Sequence, residues 1–159
     1  MLTVVIFGNG PSIKNYKFFS KKKYIEIGTN HIFFENNFNL KKKNIFFTAY
    51  DKRFLNNKTN SLWIKYLKKF IGLSYFPPDW KNKLDINDMK VKYKLPKYNK
   101  SIVSLYLKKF SSPIDLKSSV ITEMAIPLAI SLKARRILLI GCEFNYNLMN
   151  DRLVKNSYF

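Results

Sequence analysis

The sequence predicts an α/β domain built on a mostly parallel sheet, and three observations carry that expectation. First, Leu2–Phe7 is a near-continuous β-branched apolar run, and Arg136–Ile140 is, after its arginine, a second apolar run. Such runs are the habit of strands buried on both faces, as in parallel sheets. Second, strand-like and helix-like stretches alternate with no two-residue hairpin signal between them. Third, strand-like runs end on glycines, at Gly8, Gly28 and Gly141.

Taken in order, Leu2–Phe7 is a strand ended by Gly8-Asn9-Gly10-Pro11-Ser12. Ser12 can cap a weak helix over Ile13–Phe19. Tyr24–Ile27 is a second strand, closed by Gly28, and Asn30–Asn39 is a polar and aromatic connection. Asn44–Thr48 is a third strand, led by the basic run Lys41–Lys43. Leu62, Trp63, Tyr66, Leu67, Lys69, Phe70 and Ile71 fit an amphipathic helix that Gly72 terminates. Leu73–Phe76 is a fourth strand, stopped by Pro77-Pro78. Asp79–Lys100 has no period and reads as a long loop or lid within a single domain spanning 1–159. Ile102–Phe110 is a short helix. Ser118 or Ser119 caps a helix to about Leu132, which Pro127 kinks or delays. Arg136–Ile140 is a last buried strand, with Gly141-Cys142-Glu143-Phe144 at its end.

Composition narrows the classes of function. The 159 residues contain 29 Lys and Arg against 10 Asp and Glu, a formal net charge of +19. Of the basic residues 25 are Lys and only 4 are Arg, beside 17 Asn, so part of the excess reflects A/T-rich codon usage. A dedicated nucleic-acid surface would use more Arg, whose planar fork grips phosphate and guanine. The charge still favours anions: nucleotide phosphates, an acidic membrane face or an anionic glycan. One cysteine, Cys142, excludes a disulfide framework. No apolar run is long enough to span a bilayer, and the apolar start lacks a signal peptide's basic flank.

In an open parallel sheet, ligands bind beyond the carboxyl ends of the strands. That rule selects Gly8–Ser12, Thr29 and Asn30, Ala49–Asp51, and Gly141–Glu143, which would converge on one cleft. Gly8 and Gly10 allow close backbone approach to a ligand, and Ser12 with the following helix start offers donors to an anion. The loop is neither a Walker loop nor a complete dinucleotide fingerprint. His31 is the sole histidine; a lone histidine is structural more often than catalytic. Metal binding is not expected, because His31 and Cys142 have no clustered partners. Asp51 and Glu143 are candidate acids or bases. Lysines interleaved with aromatics over Trp63–Phe70 could stack on single-stranded nucleic acid, but at helical spacing they read as core.

Three segments together resemble the bacterial sialyltransferases of glycosyltransferase family 42 and the related motility-accessory-factor glycosyltransferases. Val4–Ser12 is similar to that family's opening strand and G-N-G-P-S loop. Gly28-Thr29-Asn30-His31-Ile32-Phe33-Phe34-Glu35 is similar to its C-N-x-F-x-F-E segment. Ser118-Ser119-Val120 through Ala129 to Gly141-Cys142-Glu143-Phe144 is similar to its T-S-G, Ala-rich helix, strand and G-x-D-F-Y.

The resemblance implies a Rossmann-like sheet with helices on both faces, a variant of the GT-A fold. It implies transfer of a nonulosonic acid from a CMP-sugar to a surface glycan such as lipooligosaccharide or capsule, with inversion and without a metal or other cofactor. Gly8, Asn9, Gly10 and Ser12 would then form the nucleotide loop, with Asn9 and Gly10 on its phosphate and ribose. Asn30 would contact the donor, and Ser118, Ser119 or Thr122 the sugar carboxylate or cytidine. Gly141 and Glu143 would line base and ribose, Glu143 replacing the family's Asp. The family's base is a histidine beyond the last motif, and no histidine follows His31 here. His31 is the substitute base to test, with Tyr146 and Tyr158 supporting the leaving phosphate. The length fits the nucleotide-binding core and leaves little room for the family's catalytic lid, so a shortened or degenerate relative is expected. The expected location is cytoplasmic, peripheral on the inner membrane face, with self-association left open and no specific nucleic acid as partner.

Two other readings remain at this point. A pterin pyrophosphokinase of related fold shares the G-x-G-P-S pattern but should show clustered carboxylates, and only Asp51 and Glu143 are available. A non-enzymatic basic module would bind nucleic acid or an anionic membrane with a salt-dependent affinity.

Overall fold

The computed structural model describes residues 1–10, 13, 24–34, 44–55, 57–84, 86, 90–108 and 119–142. Its centre is a six-stranded sheet whose paired neighbours are all parallel. The strands are β1 (Thr3–Phe7), β2 (Ile25–Thr29), β3 (Ile45–Thr48), β4 (Leu73–Tyr75), β5 (Val91–Lys92) and β6 (Arg136–Ile140), in the spatial order β5-β4-β3-β2-β1-β6. The chain therefore steps outward from β1 to β5, then crosses back to lay β6 on the other side of β1. Right-handed crossovers place a connection on one face when the chain steps one way and on the opposite face when it steps back. The helices obey this. Helix α1 (Asn57–Lys69), between β3 and β4, packs on one face. Helices α2 (Lys100–Lys108) and α3 (Ile126–Ser131), between β5 and β6, belong to the other.

Strand β1 shows why a continuous apolar run was needed. Val5 and Phe7 join one core and Val4 and Ile6 the other, all four fully shielded from water. On the α1 side the core is aromatic. Trp63 lies with ring centroids 4.9 Å from Phe54, 5.3 Å from Phe76 and 5.7 Å from Phe47, within the 4.5–7 Å range of favourable aromatic pairs. Trp63, Leu67 and Phe70 recur at i, i+4 and i+7 and are buried, so they are core rather than a stacking platform.

Several expectations are adjusted. The second strand runs on through Gly28 to Thr29 instead of closing at Gly28. The helix expected to run to Gly72 ends at Lys69, and Ile71, counted in its pattern, lies beyond it and is 41% exposed. The stretch from Asp79 to Lys100, expected as a loop or lid, supplies the edge strand β5 and the buried residues Trp80, Leu84 and Ile86. Strand β6 is not buried: it is the sheet's edge beside β1, and Leu138 is 40% exposed. Of the two effects expected of Pro127, the later start is seen in the α-helical part, which begins only at Ile126. A π-turn over Ile121–Ala125 precedes it, the Ile126 N–H reaches the Ile121 carbonyl, and Pro127 enters α3 at its second position. The hydrogen-bond spacing thus changes where the residue without an N–H falls. The helix expected over Ile13–Phe19 lies outside the described residues except for Ile13.

Candidate functional site

The strand order reverses between β6 and β1, and that is where an open α/β sheet leaves a crevice beyond its strand ends. Phe7 stands opposite Ile140 of β6 and Gly28 of β2, while Thr29 stands opposite Thr48 of β3. The loops after β6, β1, β2 and β3 therefore sit side by side on one edge.

Backbone and short side chains lace this rim together. The Gly8 N–H donates to the Ile140 carbonyl at 2.8 Å, and the Gly10 N–H to the Gly141 carbonyl at 2.7 Å. The approach is close enough that a Cβ on Gly8 would overlap the Gly141 carbonyl oxygen and lie 2.9 Å from Cys142 Sγ. Gly141 itself adopts φ +66°, a conformation that side chains disfavour. One position on, the Thr29 hydroxyl donates to the Phe7 carbonyl at 2.8 Å, tying β2 to β1. Next, Asn30 takes φ +47°, and its Oδ1 accepts the Tyr50 N–H at 3.2 Å, tying β2 to the loop after β3. Asn tolerates this left-handed backbone better than most residues. With Oδ1 held, the Asn30 amide nitrogen is fixed in place and uncommitted.

Asn9 sits between the two glycines of the laced loop. Its Oδ1 is buried and, among the described residues, has no hydrogen-bond partner. A buried acceptor without a donor calls for an explanation, and a ligand group with an N–H or O–H would supply one. Gly10, in contrast, has already spent its N–H on Gly141, so it offers a ligand space rather than a donor.

The helix carrying Ser119 and Thr122 runs from this edge back towards the start of β6, where the Arg135 N–H reaches the Leu2 carbonyl. Its positive end therefore faces the rim. Ser119 caps it: the hydroxyl accepts the N–H groups of Ile121 at 3.1 Å and Thr122 at 3.3 Å. The Thr122 hydroxyl donates to the Ser119 carbonyl at 3.2 Å and is buried. Thr122 is thus committed to the helix end, whereas Ser119 keeps its own hydroxyl proton to give.

His31 follows Asn30 in a 3₁₀ turn, Asn30–Phe34, and its ring leans on Phe54 with centroids 4.7 Å apart. It is half-buried at the rim, so it is both packed and close to the strand end. The structure brings together Gly8, Asn9, Gly10, Asn30, His31 and Gly141 on one edge, with Ser119 and Thr122 on the helix end that faces it. Ser12, Ser118, Glu143, Tyr146 and Tyr158 lie outside the described residues. Among the described residues, no three His, Cys, Asp or Glu side chains come together as a metal site would require.

Sequence reasoning named Tyr50 only as part of the segment Ala49–Asp51 and missed that its backbone is the partner of Asn30. A bond from a main-chain N–H leaves no mark on residue type. The asparagine at a strand end, able to turn left-handed, was the one available signal.

No protein-family model matches the chain, and no curated protein matches it in sequence. Two solved structures do match in three dimensions. One is the sialyltransferase CstII from Campylobacter jejuni in complex with a substrate analogue, CMP-3FNeuAc, at 21% identity and a TM-score of 0.52, covering 99% of this chain and 70% of that one. The other is a point mutant of the alpha-2,3/8-sialyltransferase CstII, at 20% identity and a TM-score of 0.50, covering 98% of this chain and 70% of that one. The shared feature is the fold, a Rossmann-like α/β sheet with helices on both faces.

Proposed function

We propose that this chain is a sialyltransferase-like glycosyltransferase that moves a nonulosonic acid from a CMP-sugar to a surface glycan of the lipooligosaccharide or capsule kind. The observation that carries the reading is Asn9, whose buried, partnerless Oδ1 lies in a glycine loop laced to the neighbouring strand at the reversal of strand order. The likeness in fold to sialyltransferases, one of them holding a CMP-sugar analogue, supports the same reading.

In this proposal Asn9 Oδ1 accepts a hydrogen bond from the nucleotide, and Gly8 and Gly10 let it lie close to the backbone. The fixed amide nitrogen of Asn30 and the free hydroxyl proton of Ser119 donate to oxygens of the donor sugar or its phosphate. Gly141 and Glu143 flank base and ribose. Transfer forms a bond from the acceptor oxygen to the anomeric carbon while the bond from that carbon to the phosphate oxygen breaks and CMP departs. His31 takes the proton of the acceptor hydroxyl, and Tyr146 and Tyr158 donate to the departing phosphate. No metal is assigned a part. A transferase of this kind would work in the cytoplasm beside the inner membrane face, where its glycan is assembled.

The test is a thermal-shift titration of wild type and Asn9→Ala with CMP, CMP-sialic acid, ATP with Mg²⁺, and single-stranded DNA. Stabilisation by CMP and CMP-sialic acid but not ATP, lost in Asn9→Ala, is expected. A flat response to every nucleotide would overturn the reading. His31→Ala should abolish transfer to a lactose-type acceptor without weakening CMP binding; unchanged transfer would remove His31 as the base.

A further inference from the structure

Helix α1 presents a second surface, remote from the nucleotide rim and independent of what that rim binds. Lys65, Lys68 and Lys69, at i, i+3 and i+4, line a shallow groove with Ile64. All three lysines are exposed, and beyond them Ile71 is 41% exposed. The helix contains no acidic residue, and among the described residues no carboxylate pairs with any of the three. Lys68 and Lys69 lie in the last turn, where they also suit the negative end of the helix. That role needs neither Lys65 nor an exposed isoleucine. Cations beside an open apolar side chain at one helix end are what a bilayer interface accepts: the lysines meet anionic headgroups and Ile71 enters the acyl boundary, while the half-buried Ile64 floors the groove.

We propose that the C-terminal half of α1 docks the protein on an anionic lipid surface. A polynucleotide fits the same charge less well. Trp63 and Phe70 face the core and cannot stack on bases, and the groove contains no arginine. The placement is also compatible with a working cleft. Helix α1 ends just before β4 begins, at the strand-start edge of the sheet, whereas the glycine loops lie at the strand-end edge. Docking through α1 therefore leaves the rim open to water and to a soluble ligand.

The experiment is co-sedimentation of the full chain with phosphatidylcholine vesicles, with and without phosphatidylglycerol. The variants are Lys65→Gln/Lys68→Gln/Lys69→Gln, Ile71→Asp, and a control of equal charge loss, Lys90→Gln/Lys92→Gln/Lys97→Gln. Binding is expected only with phosphatidylglycerol. Losing the three α1 lysines should weaken it roughly 100-fold, from the typical contribution of each cation near an anionic membrane. Ile71→Asp should also weaken it, and the control triple should stay within a few-fold of wild type. Equal loss in both triples would mean that total charge, not this surface, governs binding, and would overturn the proposal. So would indifference to phosphatidylglycerol, or single-stranded DNA binding that depends on the α1 lysines when vesicle binding does not. Because these changes are on exposed side chains, all variants should stay folded with melting temperatures within a few degrees of wild type, the α1 triple losing only the small helix-end contribution of Lys68 and Lys69. Failure of CMP to bind would leave this outcome untouched, since the two tests read different surfaces.

Discussion

Replacing Gly8 with alanine tests the laced rim most directly. The new Cβ would overlap the Gly141 carbonyl oxygen and lie 2.8 Å from its carbon and 2.9 Å from Cys142 Sγ, where ordinary contact begins at 3.4 Å. The first two neighbours are backbone, so β1 and β6 must part. Parting them lengthens both the 2.8 Å bond from Gly8 to Ile140 and the 2.7 Å bond from Gly10 to Gly141. Overpacking costs about 1–3 kcal/mol and each of the two weakened hydrogen bonds about 0.5–1 kcal/mol, so a loss of about 2–5 kcal/mol is expected. At roughly 2–4 °C per kcal/mol for a chain of this size, Tm should fall by about 4–20 °C. Gly72→Ala provides the contrast. Its Cβ would overlap the Ile45 carbonyl at the opposite edge of the sheet, so it should lower Tm as well. CMP affinity, measured by calorimetry on the folded fraction, should drop for Gly8→Ala and hold for Gly72→Ala. A Gly8→Ala protein that melts within about 2 °C of wild type, half the smallest expected shift, would refute the close approach of the two loops.

Thr48 is fully buried and its hydroxyl has no partner among the described residues, so Thr48→Val, which keeps the shape and removes the orphan, should raise Tm by about 2–4 °C. A lower Tm would show that the hydroxyl is in fact satisfied. Burial raises the Tyr75 hydroxyl above its usual pKa of 10.0. The unfolded chain therefore loses that proton first, and stability present below pH 10.0 should decline as pH rises through the folded value. Urea unfolding of Tyr75→Phe should show a shallower alkaline decline than wild type; identical slopes would exclude Tyr75 as a contributor. Asn30→Asp keeps the acceptor for the Tyr50 N–H, and Asn30→Gly keeps only the backbone freedom, so hydrogen exchange at Tyr50 should quicken in the glycine variant alone. Equal exchange in both would break the link between the β2 and β3 loops.

What was legible in the sequence follows from where each element gets its stability. Strand β1 is held by side chains on both faces, and Val4 to Phe7 carry that requirement openly. Strand β6 carries a similar run, Ile137–Ile140, yet it stands at the edge of the sheet. A run of apolar residues records burial against layers above and below, but it cannot record whether a further strand lies alongside. Strand β5 was missed for the converse reason. Val91 and Lys92 are held by main-chain bonds, such as the Phe76 N–H to the Lys92 carbonyl at 3.0 Å, and such bonds select no residue type. Helix α1 was legible because Trp63, Leu67 and Phe70 must share one side of it. The helix through Pro127 was legible in extent but not in manner, since a change of hydrogen-bond spacing has no residue signature beyond the proline itself.

The candidate site divides along the same line, and the strand order explains how. Gly8-Asn9-Gly10 and Gly141 are far apart in the chain, and nothing in either segment names the other. Once β6 returns to lie beside β1, each glycine acquires a reason. Gly8 must leave room for the Gly141 carbonyl, Gly10 must give that carbonyl its N–H, and Gly141 must turn left-handed to present it. The residues first read as a phosphate cradle are thus partly a seam between strands. The seam fixes Asn9 at the crevice, with a buried acceptor still to be matched. Ligand recognition at this loop should therefore depend on the Asn9 side chain more than on glycine N–H groups, which are already spent on β6.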